Sequence, residues 1–168
     1  MYFSTCITQT SNTFVANAGI FGKVYFPRLT MPLATVIFAL INFCVILIMS
    51  VIAIIFYIFT GEGVHPNIYI LLVPIMVIQT ALLGLGFGII ISSLTTKYRD
   101  LAVLVTFGVQ LWMYATPVVY PMSQITGKLK KIILLNPLSP IVNNFRYALL
   151  GCGEFETTYW YISIVTTL

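Results

Sequence analysis

Chemistry would have to come from few ionisable residues. In 168 residues there are four acids, Glu62, Asp100, Glu154 and Glu156, one histidine, His65, and eight lysines and arginines. General acid–base catalysis needs titratable groups that meet around one substrate. No spacing here puts two of these acids beside each other, or beside a base, within an apolar block. His65 sits in a short loop with Glu62 and Pro66 and reads as solvated. Cys6, Cys44 and Cys152 have neither metal-ligand nor disulfide spacing, and Cys44 lies inside an apolar run, so no metal site is expected. The phosphate cradle G-x-x-x-x-G-K-[ST] is absent. Gly84, Gly86 and Gly88 lie inside an apolar span and not after a strand, so the chain has no such route to ATP hydrolysis. These residues argue against an enzyme.

What remains is polar and aromatic. Asn42, Gln79 and Gln110 fall near the middles of three apolar blocks, where an unpaired amide is costly. Either they bond to one another across helices or they line a polar conduit. Trp112, Tyr114, Tyr120, Tyr147, Tyr159, Trp160 and Tyr161 crowd the ends of the apolar blocks. Most suit anchoring at a membrane interface, and some suit stacking on the apolar faces of sugar rings.

The elements that position them are set by composition. The chain is 60% hydrophobic and only 7% charged, with mean hydropathy +1.02, against roughly 25% charged in soluble domains. An all-α integral membrane protein is expected. The net charge of +4 is scattered between apolar blocks and forms no basic face, which argues against nucleic acid and fits topology signals. About 20 apolar residues span a bilayer core. Residues 29–61, 67–96 and 101–119 meet that length without a charge, and are read as three complete transmembrane helices. Residues 1–13 look too mixed to span and suit the stub of a helix. Residues 14–28, with Phe14, Ala18, Phe21 and Tyr25 at helical spacing and Lys23 and Arg28 as charged markers, suit a short interfacial helix.

Pro117 and Pro121 bracket Val118, Val119 and Tyr120, so the third helix should stop or kink there. That break is either a plain helix end with Tyr120 as an anchor or exposed backbone shielded by protein or a water-filled cavity. Residues 120–151 carry the Lys128, Lys130, Lys131 knot and then a stretch too short and proline-broken to cross, which suits re-entrant or interfacial short helices. Residues 157–168 begin a further apolar helix. Ala81, Gly84, Gly88 and Ser92 form a small-residue stripe for close helix packing. Positive-inside places residues 14–28 and the Tyr98, Arg99, Asp100 turn in the cytoplasm and the His65 loop outside. The Lys128 knot then falls on the outer side against the rule, and the re-entrant reading sets it at an interface.

Four ordered motifs carry a family resemblance across nearly the whole chain: Asn17 with KVYFPR (Lys23, Tyr25, Phe26, Pro27, Arg28) and Pro32; YRD at 98–100; QLWMYATPVVYP at 110–121; and LNPLSPIVNNFR at 135–146. Together they resemble the permease subunit of bacterial ABC exporters for lipid-linked polysaccharides such as O-antigen, capsule-type polymers and teichoic acid. The resemblance implies a six-span permease in the bacterial cytoplasmic (inner) membrane that pairs with a second copy. It also implies a separate ATPase subunit, which would bind the ATP and Mg; no cofactor is expected in this chain. Residues 14–28 become the cytoplasmic coupling helix, with Asn17, Phe21, Lys23, Tyr25, Phe26, Pro27 and Arg28 toward the ATPase. Residues 117–146 become the re-entrant pair, and Gln110, Trp112, Tyr114, Pro117, Tyr120, Pro121, Asn136, Pro137 and Arg146 the glycan path. Such permeases have an N-terminal amphipathic helix and two earlier spans, so the chain is expected to be a fragment that begins near the end of the second span and is cut in the last at Leu168. The family often carries an acid where Asn143 stands, so an ion pair with Arg146 does not carry over. Competing readings are an exporter of small lipids or drugs, which would lack the Asn-Pro segment, and a membrane scaffold without transport.

Overall fold

A computed structural model describes residues 1–17, 19, 27, 29–60, 67–98, 100–118, 133–151 and 155–167. All regular structure among them is helical: α1 (Tyr2–Ala16), α2 (Thr30–Thr60), a 3-10 stretch (Ile68–Leu72) leading into α3 (Val73–Lys97), α4 (Leu101–Ala115), α5 (Leu138–Leu150) and α6 (Thr157–Thr167). The His65 loop, the Lys128 knot and Glu154 lie outside the described residues. By packing, the chain divides into two units, Met1–Val45 with Ala81–Trp112, and Ile46–Thr80 with Met113–Leu168.

In the first unit, residues that look too polar to form a buried helix do so. The α1 hydroxyls turn back on their own helix: Thr8 donates to the Ser4 carbonyl at 2.9 Å and Thr13 to the Gln9 carbonyl at 2.7 Å. Such bonds satisfy a hydroxyl locally and so remove much of the cost of burying it. Tyr2, Cys6, Thr10 and Thr13 then form one buried face at helical spacing. At the far end the Asn17 side chain donates to the Thr13 carbonyl at 2.8 Å while its own N–H bonds the same oxygen at 3.1 Å. Asn17 therefore closes α1, and residues 14–16 belong to that helix, where the sequence reading began a separate interfacial one.

α2 returns alongside α1. Thr10 and Thr35 meet at 3.5 Å, and the Tyr2 and Phe43 rings lie 5.0 Å apart, so rising numbers on α2 match falling numbers on α1. Pro32, in the first turn of α2, costs little because its missing N–H would have had no intrahelical partner there.

Two helical runs, Thr30–Thr60 and Ile68–Lys97, are long and apolar enough to cross a membrane. α4 has 15 residues, about 22 Å at 1.5 Å per residue, and stops four residues before the expected position 119. Pro117 is the reason. The residue before a proline is pushed away from helical geometry, and the chain turns instead through Thr116 N–H to the Met113 carbonyl and Val118 N–H to the Thr116 carbonyl. Another proline, Pro74, explains the 3-10 start before α3. It has no N–H for the Ile70 carbonyl, which accepts from Val73 instead.

In the second unit α5 is announced by Asn136, whose Oδ1 accepts the Leu138 N–H at 3.2 Å and whose carbonyl accepts the Ser139 N–H at 3.0 Å. It ends at Gly151, whose φ of 69° suits a residue without a Cβ.

Candidate functional site

The contact between α1 and α3 is built from small residues. A Cβ added to Gly84 would meet the Cys6 Cβ at 2.8 Å, and one added to Gly88 would meet the Thr10 Cβ at 2.6 Å. One helical step further, Ser92 and Thr95 both donate to the Ser11 carbonyl, at 3.0 and 2.9 Å. Numbers rise together on both helices, so they run parallel. The Asn17 end of α1 and the Lys97 end of α3 consequently lie on the same side. At that side Lys97 and Tyr98 are exposed, with the Lys97 amine 5.4 Å from the Tyr98 ring centre, and Asp100 is exposed in the turn to α4.

The second unit gathers a polar and aromatic group. Gln79, buried on α3, donates from Nε2 to Ser163 Oγ at 2.8 Å and accepts the Trp160 indole N–H at 2.9 Å. Ser163 in turn donates to the Pro137 carbonyl at 2.6 Å. This chain of bonds ties α6 to α3 and to the start of α5. Asn144, fully buried, holds the residue ahead of α6 by its backbone, accepting the Glu156 N–H at 3.0 Å and facing its carbonyl at 3.5 Å. Beside these, the Tyr69 and Phe155 rings stack at 4.7 Å, and Phe155 meets Tyr147 at 6.0 Å and Trp160 at 5.7 Å. Asn136 Nδ2 donates to Thr116 Oγ1 at 3.2 Å, and Arg146 reaches the Val118 carbonyl at 3.4 Å. Among the described residues no cluster of histidine, cysteine or acid side chains forms a metal site.

Residues 1–150 match the sequence model of the ABC-2 type transporter family. The chain belongs to that family. It is 32% identical over 165 residues to an O-antigen export system permease protein RfbA of Klebsiella pneumoniae, covering 98% of this chain and 61% of that protein. A protein of the same description from Myxococcus xanthus is 26% identical over 148 residues, 87% of this chain and 55% of its own length. The chain thus spans a little over half the length of the curated relatives it matches.

Within this ABC-2 chain, the expected path residues part company. In the second unit Asn136 and Arg146 bond Thr116 and Val118, the residues on either side of Pro117, while the Pro137 carbonyl accepts from Ser163. In the first unit Gln110 is exposed on α4, and Trp112 packs 5.3 Å from the Phe87 ring and 6.5 Å from Phe3. Tyr114 is exposed. Of the three amides, Gln79 is engaged by Ser163 and Trp160 of α6, and Asn42 and Gln110 are exposed. Phe21, Lys23, Tyr25, Phe26, Arg28, Arg99, Tyr120 and Pro121 lie outside the described residues. Ser11, Thr116, Asn144, Phe155 and Ser163 were not singled out from the sequence. Only Thr116 had a local signal there, its place before Pro117.

Proposed function

We propose that this chain forms the core of the transmembrane permease subunit of an ABC exporter for a lipid-linked polysaccharide, in the bacterial cytoplasmic membrane. A separate ATPase subunit holds ATP and Mg and supplies the motion, and a second permease copy completes the conduit. The observation that carries this reading is the parallel α1–α3 pair, taken with the similarity to O-antigen export permeases. It supports a common wet side for the end of α1 and the Tyr98–Arg99–Asp100 turn, which is where a coupling segment following α1, over residues 17–28, would stand. ATP-driven closure of the partner would push on that segment. α1 and α3, clamped along Gly84, Gly88 and Ser92, would shift as one body while the carrier lipid stays in the bilayer. Tyr69 and Tyr161, exposed by 37% and 65%, offer aromatic surface that suits a passing glycan better than a small apolar cargo.

Alanine replacement across Lys23 to Arg28 in the intact permease tests the coupling. Association with the ATPase and polymer export are expected to fall together. Unchanged association and export would overturn the reading.

A further inference from the structure

The first unit holds an apolar cavity of about 160 Å³ between α1, α3 and α4, lined by Phe3, Ile7, Phe87, Val105, Gly108 and Trp112 among others. Its walls offer almost no polar atom, so neither water nor a sugar is well served there; apolar cavities of about this size in proteins stay dry and take hydrocarbon guests. The lining residues place it by depth. Phe87 lies ten positions before Lys97, and Val105 and Trp112 lie four and eleven positions after Leu101, which puts the cavity roughly 6–17 Å inward from that charged turn at 1.5 Å per residue. The neighbouring faces carry Ile90, Leu94, Leu104, Phe107 and Leu111, all at least half exposed, an apolar surround of the kind lipid chains favour. At the wet end of the same helices the exposed Lys97 amine offers a cation at headgroup depth.

From this geometry we infer that the cavity seats a segment of one acyl chain of an anionic bilayer phospholipid, with its phosphate at Lys97. The cavity is too small for a helix, whose axis needs 8–10 Å of clearance. The occupant fills the angle between α1 and α4 against the Trp112 indole. The inference rests on the membrane location of the chain and not on the identity of its cargo, so it survives if the polysaccharide reading fails.

Gly108 provides the test, because a Cβ there meets nothing within 4 Å. The intact permease is reconstituted in vesicles of phosphatidylglycerol or phosphatidylcholine with brominated acyl chains. Trp112 emission is isolated by difference from a Trp112→Phe protein. Strong quenching is expected, with phosphatidylglycerol preferred by about fivefold, the equivalent of roughly 1 kcal/mol for one lysine at an anionic surface. Lys97→Gln should abolish the preference and leave quenching by both lipids. Gly108→Leu, which fills the cavity from within, should protect Trp112, whereas Gly108→Ala should leave most of the quenching. Equal quenching in the leucine and alanine variants, or Trp112 shielded by a second copy in a manner that depends on protein density, would overturn the inference.

Discussion

Gly88→Ala and Gly86→Ala place the same methyl group two residues apart on α3, and the structure gives them opposite signs. At Gly86 nothing lies within 4 Å of the new Cβ, so alanine keeps its advantage in a helix, about 0.5–1 kcal/mol. At Gly88 the Cβ falls 2.6 Å from Thr10 Cβ and 2.7 Å from its Cγ2, where carbon atoms prefer about 3.5–4.0 Å. A Cβ cannot rotate away, and Thr10 is fully buried. α1 must therefore retreat by roughly an ångström, which forfeits part of the dispersion contact along the stripe. The Ser92 and Thr95 bonds to Ser11, at 3.0 and 2.9 Å, would be stretched beyond useful length. Overpacking costs about 1–3 kcal/mol and the strained bonds about 0.6 each, so after the alanine gain the net loss is about 1–4 kcal/mol. Reversible unfolding by SDS in mixed micelles should separate the two variants by about 2–4 kcal/mol, with Gly86→Ala at or above the parent. Thr10→Gly combined with Gly88→Ala should recover about 1–2 kcal/mol relative to the sum of the single changes. Equal midpoints for the two alanine variants would refute the packing argument.

Further substitutions probe the polar contacts. Ser92→Ala alone should cost about 0.6 kcal/mol in the same assay, and Thr95→Val added to it should cost more, because it removes the last of two hydroxyl donors to the Ser11 carbonyl. Gln79→Leu leaves the Trp160 N–H without its acceptor, so stability should drop by about 1–3 kcal/mol, and Trp160 emission should shift. Asn144→Ala releases the Glu156 N–H, and hydrogen exchange at Glu156 should become about tenfold faster or more while α1 amides keep their rates. Gly151→Ala, forced to a φ of 69°, should lose about 1–2 kcal/mol and fray the end of α5, read by faster exchange at Tyr147 to Leu150.

The small-residue stripe on α3 was legible because glycine and serine recur every fourth position in an otherwise bulky run. Its partner was not. α1 is rich in threonine and serine, and composition alone marks such a segment as polar; the i−4 bonds from Thr8 and Thr13 that make it buriable leave no trace in hydropathy. Gln79 was legible as a residue needing a partner, but the partners stand 81 and 84 positions later, beyond any local pattern. The stop at Pro117 was expected, yet its placement came early. The proline also disturbs the residue before it, and the chain closes α4 with shorter-range turns.

The chemistry of the α1–α3 contact follows from its solvent. Lipid tails are as apolar as leucine, so a wholly aliphatic interface would gain little over lipid and would slide freely. Glycine at 84 and 88 lets the helices approach closely, and close-packed atoms resist compression. The Ser11 carbonyl, accepting two hydroxyls near the Lys97 end, opposes sliding along the axis. From Gly84 to Thr95 the contact covers about 16 Å of α3, enough for a force at Asn17 to reach deep into the first unit. Register is held by directional bonds at the end where the force would enter, and steric contact carries it onward.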